Sequence, residues 1–129
     1  MTLIEYTQTS TLEVSSQQQK NSKQSSQSNS HGLRYNDGKP RYDLIHPVGE
    51  RGLVNVLTKA LDKYPEFNWE KGMSWRAVIA SLKRHLAAFE MREELDYETG
   101  LPHIDHIQAN AHFLSTYFHL KMGEDDRRG

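Results

Sequence analysis

The sequence predicts a small all-α protein: a helical bundle of three main helices, completed by homo-oligomerisation and entered through an irregular N-terminal segment. Three observations carry this expectation. Three apolar stripes recur at spacings of three and four, strand-forming runs are scarce, and the opening stretch is too polar to build a core. The 129 residues leave room for one ordinary domain.

From Ser15 to Ser30 the chain contains only seven Ser, five Gln, two Asn and two Lys. Such a tract buries no apolar surface to offset roughly 1–2 kcal/mol of backbone ordering per residue, so residues 1–31 are expected to form a disordered tail. The helical domain is expected over 32–122, followed by a charged, frayed C-terminal tail over 123–129. Within the entry segment, Leu33 to Tyr35 and Tyr42 to Ile45 flank the turn Asn36-Asp-Gly-Lys-Pro40, which allows a short hairpin.

The first stripe is Leu53, Val56, Leu57, Ala60, Leu61 and Tyr64. Its helix is expected to open at Pro47, since proline suits the first turn, and to stop at Pro65. The second stripe, Trp75, Val78, Ile79, Leu82, Leu86 and Phe89, is capped by Ser74 and expected to run to about Arg92. The third, Ile104, Ile107, Ala111, Leu114 and Phe118, is entered through Pro102. Three such faces make a thin core, and pairing with a second copy is the usual remedy.

Composition removes several function classes. With 16 Lys plus Arg against 17 Asp plus Glu, the chain has no overall positive field to attract a nucleic-acid backbone. It has no cysteine, so a metal must be held by His, Asp or Glu. No run approaches a membrane span and no signal-peptide pattern opens the chain, which predicts a soluble cytoplasmic protein. Dinucleotide, Walker, nucleophile-elbow and His-Glu-x-x-His motifs are all missing.

The informative polar residues lie along the second and third helices. His103, His106 and Asn110 fall at i, i+3 and i+7, within roughly 60° of one another on a helix, and make one polar strip. Two imidazoles one turn apart can ligate a cation or bracket a phosphate. His85, between Leu82 and Phe89, should face the interior toward them. Glu93 and Asp96, in the acidic run that ends the second helix and a turn apart where that helix persists, supply the oxygen ligands that suit a hard divalent cation, with Mg²⁺ expected and Mn²⁺ as the alternative. Lys39 and Arg41, and Lys63, Tyr64, Asn68 and Trp69, combine cations with aromatic planes as a nucleotide would require.

In order, Asp37-Gly-Lys-Pro-Arg41, Asp43-Leu44, Lys63-Tyr64, Asn68-Trp69, Arg84-His85-Leu86, Glu93, Asp96, Gly100, His103 and His106 form a set that resembles the phage-associated dATP/dGTP diphosphohydrolase family of the N-terminal-domain type. That family is distantly similar to MazG-like all-α nucleotide pyrophosphohydrolases. The resemblance implies metal-dependent hydrolysis of a deoxynucleoside triphosphate to the monophosphate and pyrophosphate, in the host cytoplasm. It implies Glu93 and Asp96 as metal positions and His103 or His106 as the proton-transferring group. Lys39, Arg41, Lys63, Tyr64, Asn68, Trp69, His85 and Asn110 are then the substrate contacts. Two departures stand out: Arg92 replaces the glycine common before the acid, and the Glu-Glu-x-x-Glu helix of MazG-like enzymes is absent. The alternative reading is a non-catalytic nucleotide-binding protein.

Overall fold

The computed structural model describes residues 31–129, so the tail expected over 1–31 lies, except for its last residue, outside the described residues. The chain divides into two compact units, one ending at Leu44 and the other spanning Ile45 to Gly129. Residues 32–44 therefore go with the first unit, whereas 123–129 go with the helical one.

In the first unit the expected turn forms, with the Lys39 amide donating to the Asn36 carbonyl at 3.1 Å. The flanking strands do not. Tyr42–Leu44 instead winds into a 3₁₀ turn, and Arg41 closes a bidentate pair with Asp43 at 2.7 Å for both bonds. A two-residue ion pair satisfied within the turn favours local winding over an extended partner.

The helical unit contains α1 (Pro47–Lys59), α2 (Trp75–Glu90) and α3 (His103–Leu120), and among the described residues no strand. None of these helices is long and apolar enough to cross a membrane. Pro47 opens α1 at its first position, and His46 Nδ1 accepts the Val48 amide as the cap. The helix ends earlier than Pro65, tightening into a 3₁₀ turn over Ala60–Asp62, so Ala60, Leu61 and Tyr64 are exposed.

α2 and α3 pack antiparallel: Trp75 reaches Met122, Ser81 reaches Asn110 and His85 reaches His103. α1 lies across α3, also antiparallel, with Gln108 donating to the Gly49 carbonyl and Gly52 facing Asp105. That approach is close: a Cβ at Gly52 would stand 2.2 Å from Asp105 Oδ1, so a larger residue there requires the Asp105 carboxylate or α1 to shift.

The core sits at one end of the α2–α3 pair. Trp75, Val78 and Tyr117 are buried there, with Trp69, Met73, Phe113, Leu114, Phe118 and Met122 packed around them. The Tyr117 hydroxyl donates to the Trp69 carbonyl at 2.6 Å. The C-terminal segment is not frayed. The Trp75 indole donates to the Met122 carbonyl, the Trp75 amide to the Glu124 carbonyl, and the Glu124 amide to the Met73 carbonyl. Asp126 then joins the Ser74 cap, accepting from the Ser74 hydroxyl at 2.5 Å and the Arg76 amide at 2.9 Å, while the Arg127 guanidinium lies 4.9 Å from the Trp75 ring. A carboxylate is favoured at a helix N-terminus, which is why an acidic segment seals this end.

Candidate functional site

Along α3 the most buried column is His103, Asn110 and Tyr117, seven residues apart and 4%, 8% and 0% exposed. The expected apolar stripe is rotated off this line: Ile104 is 46% exposed and Ala111 is also exposed. The polar strip, rather than the apolar one, therefore faces α2 along the first half of α3. Such an arrangement survives only where each polar group finds a partner.

The loop between α2 and α3 supplies those partners. α2 stops at Glu90, short of the expected Arg92, because Arg92 adopts a left-handed conformation with φ 64°. The Arg92 amide bonds back to the Phe89 carbonyl and the Glu93 amide to the Ala88 carbonyl, the paired closure typical of a helix end. This explains why glycine suits position 92: the site needs positive φ. The turn also carries Glu93 out of the helix, so Glu93 and Asp96 do not share a helical face.

Beyond it the chain doubles back. The Asp96 amide donates to the Leu101 carbonyl, the His103 amide to the Glu94 carbonyl, and Leu95 bridges Pro102. Asp96 Oδ2 accepts both the amide and the hydroxyl of Thr99, at 3.1 and 2.9 Å, which fixes the tight turn through Gly100. Thr99 was not foreseen as a site residue, although an acid three residues before a Thr-Gly turn is a local signal for such a bond.

Six side chains converge here. His85 Nδ1 lies 2.8 Å from His103 Nδ1, and the far nitrogen of His103, Nε2, lies 2.8 Å from Glu93 Oε2. The His85 ring stacks on His106 at 4.4 Å with 4° between planes. His106 Nε2 is 2.7 Å from the Thr99 hydroxyl and 3.7 Å from Asp96 Oδ2. Asn110 anchors the next turn, donating to the His106 carbonyl and to Ser81. The inner groups are sheltered, with Asp96 and His106 side chains 13% and 12% exposed, whereas Glu93 is open at 61%.

Partners assign the protons. The Thr99 hydroxyl gives its hydrogen to the Asp96 carboxylate, the stronger acceptor, so His106 donates from Nε2 to the Thr99 oxygen and keeps a lone pair on Nδ1. Glu93 takes the hydrogen on His103 Nε2, so Nδ1 is the His103 nitrogen turned toward His85. Burial, then the neighbouring imidazole of His106, lowers the His85 pKa below the ordinary 6.5. Burial lowers His106 as well, against the opposing pull of Asp96. For Asp96 burial acts upward, but the Thr99 hydroxyl and amide outweigh it and hold the carboxyl below 3.8. Two imidazoles beside a carboxylate form a donor set that fits a divalent cation: His85, His103 and Asp96 offer ligand atoms all within 4.8 Å of one another.

The other expected residues of the helical unit do not join this cluster. Trp69 is part of the apolar end, stacked on Phe113 at 4.9 Å and set edge-on to His112, so its indole face is already covered. Asn68 sits half-buried in the same 3₁₀ turn. Lys63 and Tyr64 are exposed just after α1, and Lys39 and Arg41 belong to the first unit, where Arg41 is engaged by Asp43.

A family model described as dATP/dGTP diphosphohydrolase, N-terminal, matches residues 29–127. The chain is also 30% identical over 97 residues to a Salmonella phage PMBT28 protein named dATP/dGTP diphosphohydrolase, an alignment covering 75% of this chain and 33% of the relative. The chain thus spans about a third of that relative's length. No solved structure shows significant similarity.

Proposed function

We infer that this chain, which belongs to the dATP/dGTP diphosphohydrolase N-terminal family, hydrolyses a (deoxy)nucleoside triphosphate to the monophosphate and pyrophosphate, as a cytoplasmic enzyme. The observation that carries this reading is the convergence of His85, His103, His106, Asp96 and Glu93 at one end of an otherwise apolar helix pair. The relative's printed name supports the same substrate class.

In this reaction a water oxygen attacks the α-phosphorus, the bond from that phosphorus to the bridging oxygen breaks, and pyrophosphate leaves. His106 accepts the water's proton on Nδ1, the nitrogen that takes no hydrogen bond from the described residues, and its lowered pKa keeps it neutral and able to do so. Asp96 and Thr99 hold that ring in position and stabilise the imidazolium once formed. His103, with both nitrogens engaged, is a holding group. His85, His103 and Asp96 would hold a divalent cation, which would supply charge neutralisation at the phosphate oxygens. Lys63 and Tyr64, beyond the end of α1 that heads toward the first turn of α3, meet the phosphates and the base.

The same reading includes a second copy of the chain. Leu86, Phe89, Met91, Leu95 and Ile104 all stand exposed around the histidine end, an apolar rim that a homo-oligomer would cover.

Pyrophosphate release from a panel of dNTPs with added divalent metal tests the reaction. His106→Ala should slow it by about 10²–10⁴-fold, the range for losing a general base. Full activity in that variant overturns the assignment, and tight nucleotide binding without turnover in the native chain points instead to a binding protein.

A further inference from the structure

The sequence directs attention to Glu93 and Asp96 as a pair of oxygen ligands, which would suit Mg²⁺. The geometry separates them. Glu93 sits on Nε2 of His103, the side of the ring opposite the nitrogen that meets His85. Asp96 stands on the inner side, and every hydrogen bond it accepts from described side chains and from the Thr99 amide falls on Oδ2, leaving Oδ1 open.

The contact between His85 and His103 is informative in itself. Two Nδ1 atoms 2.8 Å apart share a single proton at most. Glu93 already holds a hydrogen on His103 Nε2, so the lone pair of His103 is aimed at this contact and cannot turn away without breaking a charge-assisted bond. When both imidazoles are neutral, only the His85 proton keeps the contact favourable, and a cation seated to one side of the two nitrogens, toward Asp96, would satisfy both lone pairs and the free Asp96 oxygen. A carboxylate on the outer nitrogen of a ligating histidine orients the ring and raises its basicity. Three protein ligands, two nitrogen and one oxygen, also leave further coordination positions open.

We propose that His85 Nδ1, His103 Nδ1 and Asp96 form a site selective for a first-row transition cation of the Mn²⁺, Co²⁺ or Zn²⁺ class over Mg²⁺, with Glu93 acting as a positioning residue on His103 rather than as a ligand. Mg²⁺ demands near-octahedral oxygen coordination and keeps its waters, whereas imidazole nitrogen favours the later ions. The inference concerns the same cluster as the proposed reaction and refines which of its residues touch the cation, but metal binding is measured without turnover.

The experiment is Co²⁺ titration of the full chain after chelator treatment, followed by visible absorption, with bound metal counted by elemental analysis. Native protein should take up one equivalent with nitrogen-ligand bands that persist in a large excess of Mg²⁺. Asp96→Asn, nearly isosteric, and His85→Ala should each lose the bands. Glu93→Gln should keep both band shape and stoichiometry while weakening affinity by about 10–100-fold, and Glu93→Ala should weaken it further with the same bands. Circular dichroism of each variant confirms folding, and Asp96→Asn decides the matter where His85→Ala does not fold. Displacement by Mg²⁺, no uptake, or a changed spectrum in Glu93→Gln overturns the proposal. Uptake without hydrolysis leaves the metal site standing and removes the reaction; hydrolysis with Mg²⁺ alone and no Co²⁺ uptake does the reverse.

Discussion

The two ends of the α2–α3 pair are built on opposite principles. One column of α3 runs through both, from His103 through Asn110 to Tyr117. At the Tyr117 end the column enters an aromatic cluster sealed by the C-terminal segment, where Trp75 donates to the Met122 carbonyl and Asp126 joins the Ser74 cap. At the His103 end the same column meets imidazoles and carboxylates, with an exposed apolar rim around it. The first end gains stability from area removed from water, whereas the second spends apolar area on polar groups that must satisfy one another. Apolar packing and polar clustering are thus divided between the ends of one helix, an arrangement in which the polar end depends on the apolar end to hold it.

The sharpest way to break this division is Tyr117→Ala. It removes a fully buried ring and one of the two donors to the Trp69 carbonyl, the Gly72 amide being the other, so the loss should be about 3–5 kcal/mol, read as a fall in denaturant midpoint. A comparable loss from His85→Ala would contradict the division, since that side chain is only partly buried.

A smaller effect of opposite sign comes from Arg92→Gly. Relief of the left-handed conformation at the end of α2 should stabilise the chain by about 0.5–1 kcal/mol, visible as a rise in Tm, with the histidine cluster undisturbed.

The smallest effect is in pH. His85 and His106 have folded pKa values below 6.5, so the unfolded chain binds more protons as the pH drops through that value, and the folded state loses stability on acidification. Asp96, lowered below 3.8, adds a second loss as pH falls further. Tyr117 acts at the other extreme: burial raises its pKa above 10.0, so its contribution is present below that value and is lost as pH rises beyond it. NMR of the chelator-treated chain should therefore show the histidine end responding to acid and the aromatic end to alkali.

How much of this was legible in the sequence follows from how local each signal is. α1, α2 and α3 could be read because their apolar residues repeat at helical spacing and Pro47, Ser74 and Pro102 mark their starts. The gathering of His85, His103 and His106 was legible for the same reason, since spacing fixes which residues share a helix face. The rotation of α3 was not, because its apolar stripe and its polar strip lie side by side and only the partners on α2 and the loop decide which turns inward. The positions of Glu93 and Asp96 depended on where α2 stops, and Arg92 disguised a helix end that glycine would have announced. The Asp126 bond to Ser74 spans 52 residues, and no local pattern foretells it.

Gly52 gives α1 an influence out of proportion to its chemistry, for it contributes no side chain to the cluster. Because the helix rests directly against Asp105, next to His106 in the opening turn of α3, any bulk at that contact must push Asp105 aside or lift α1. A bare backbone position on a neighbouring helix is thereby a tuning point for imidazole alignment, one that leaves every side chain of the cluster in place.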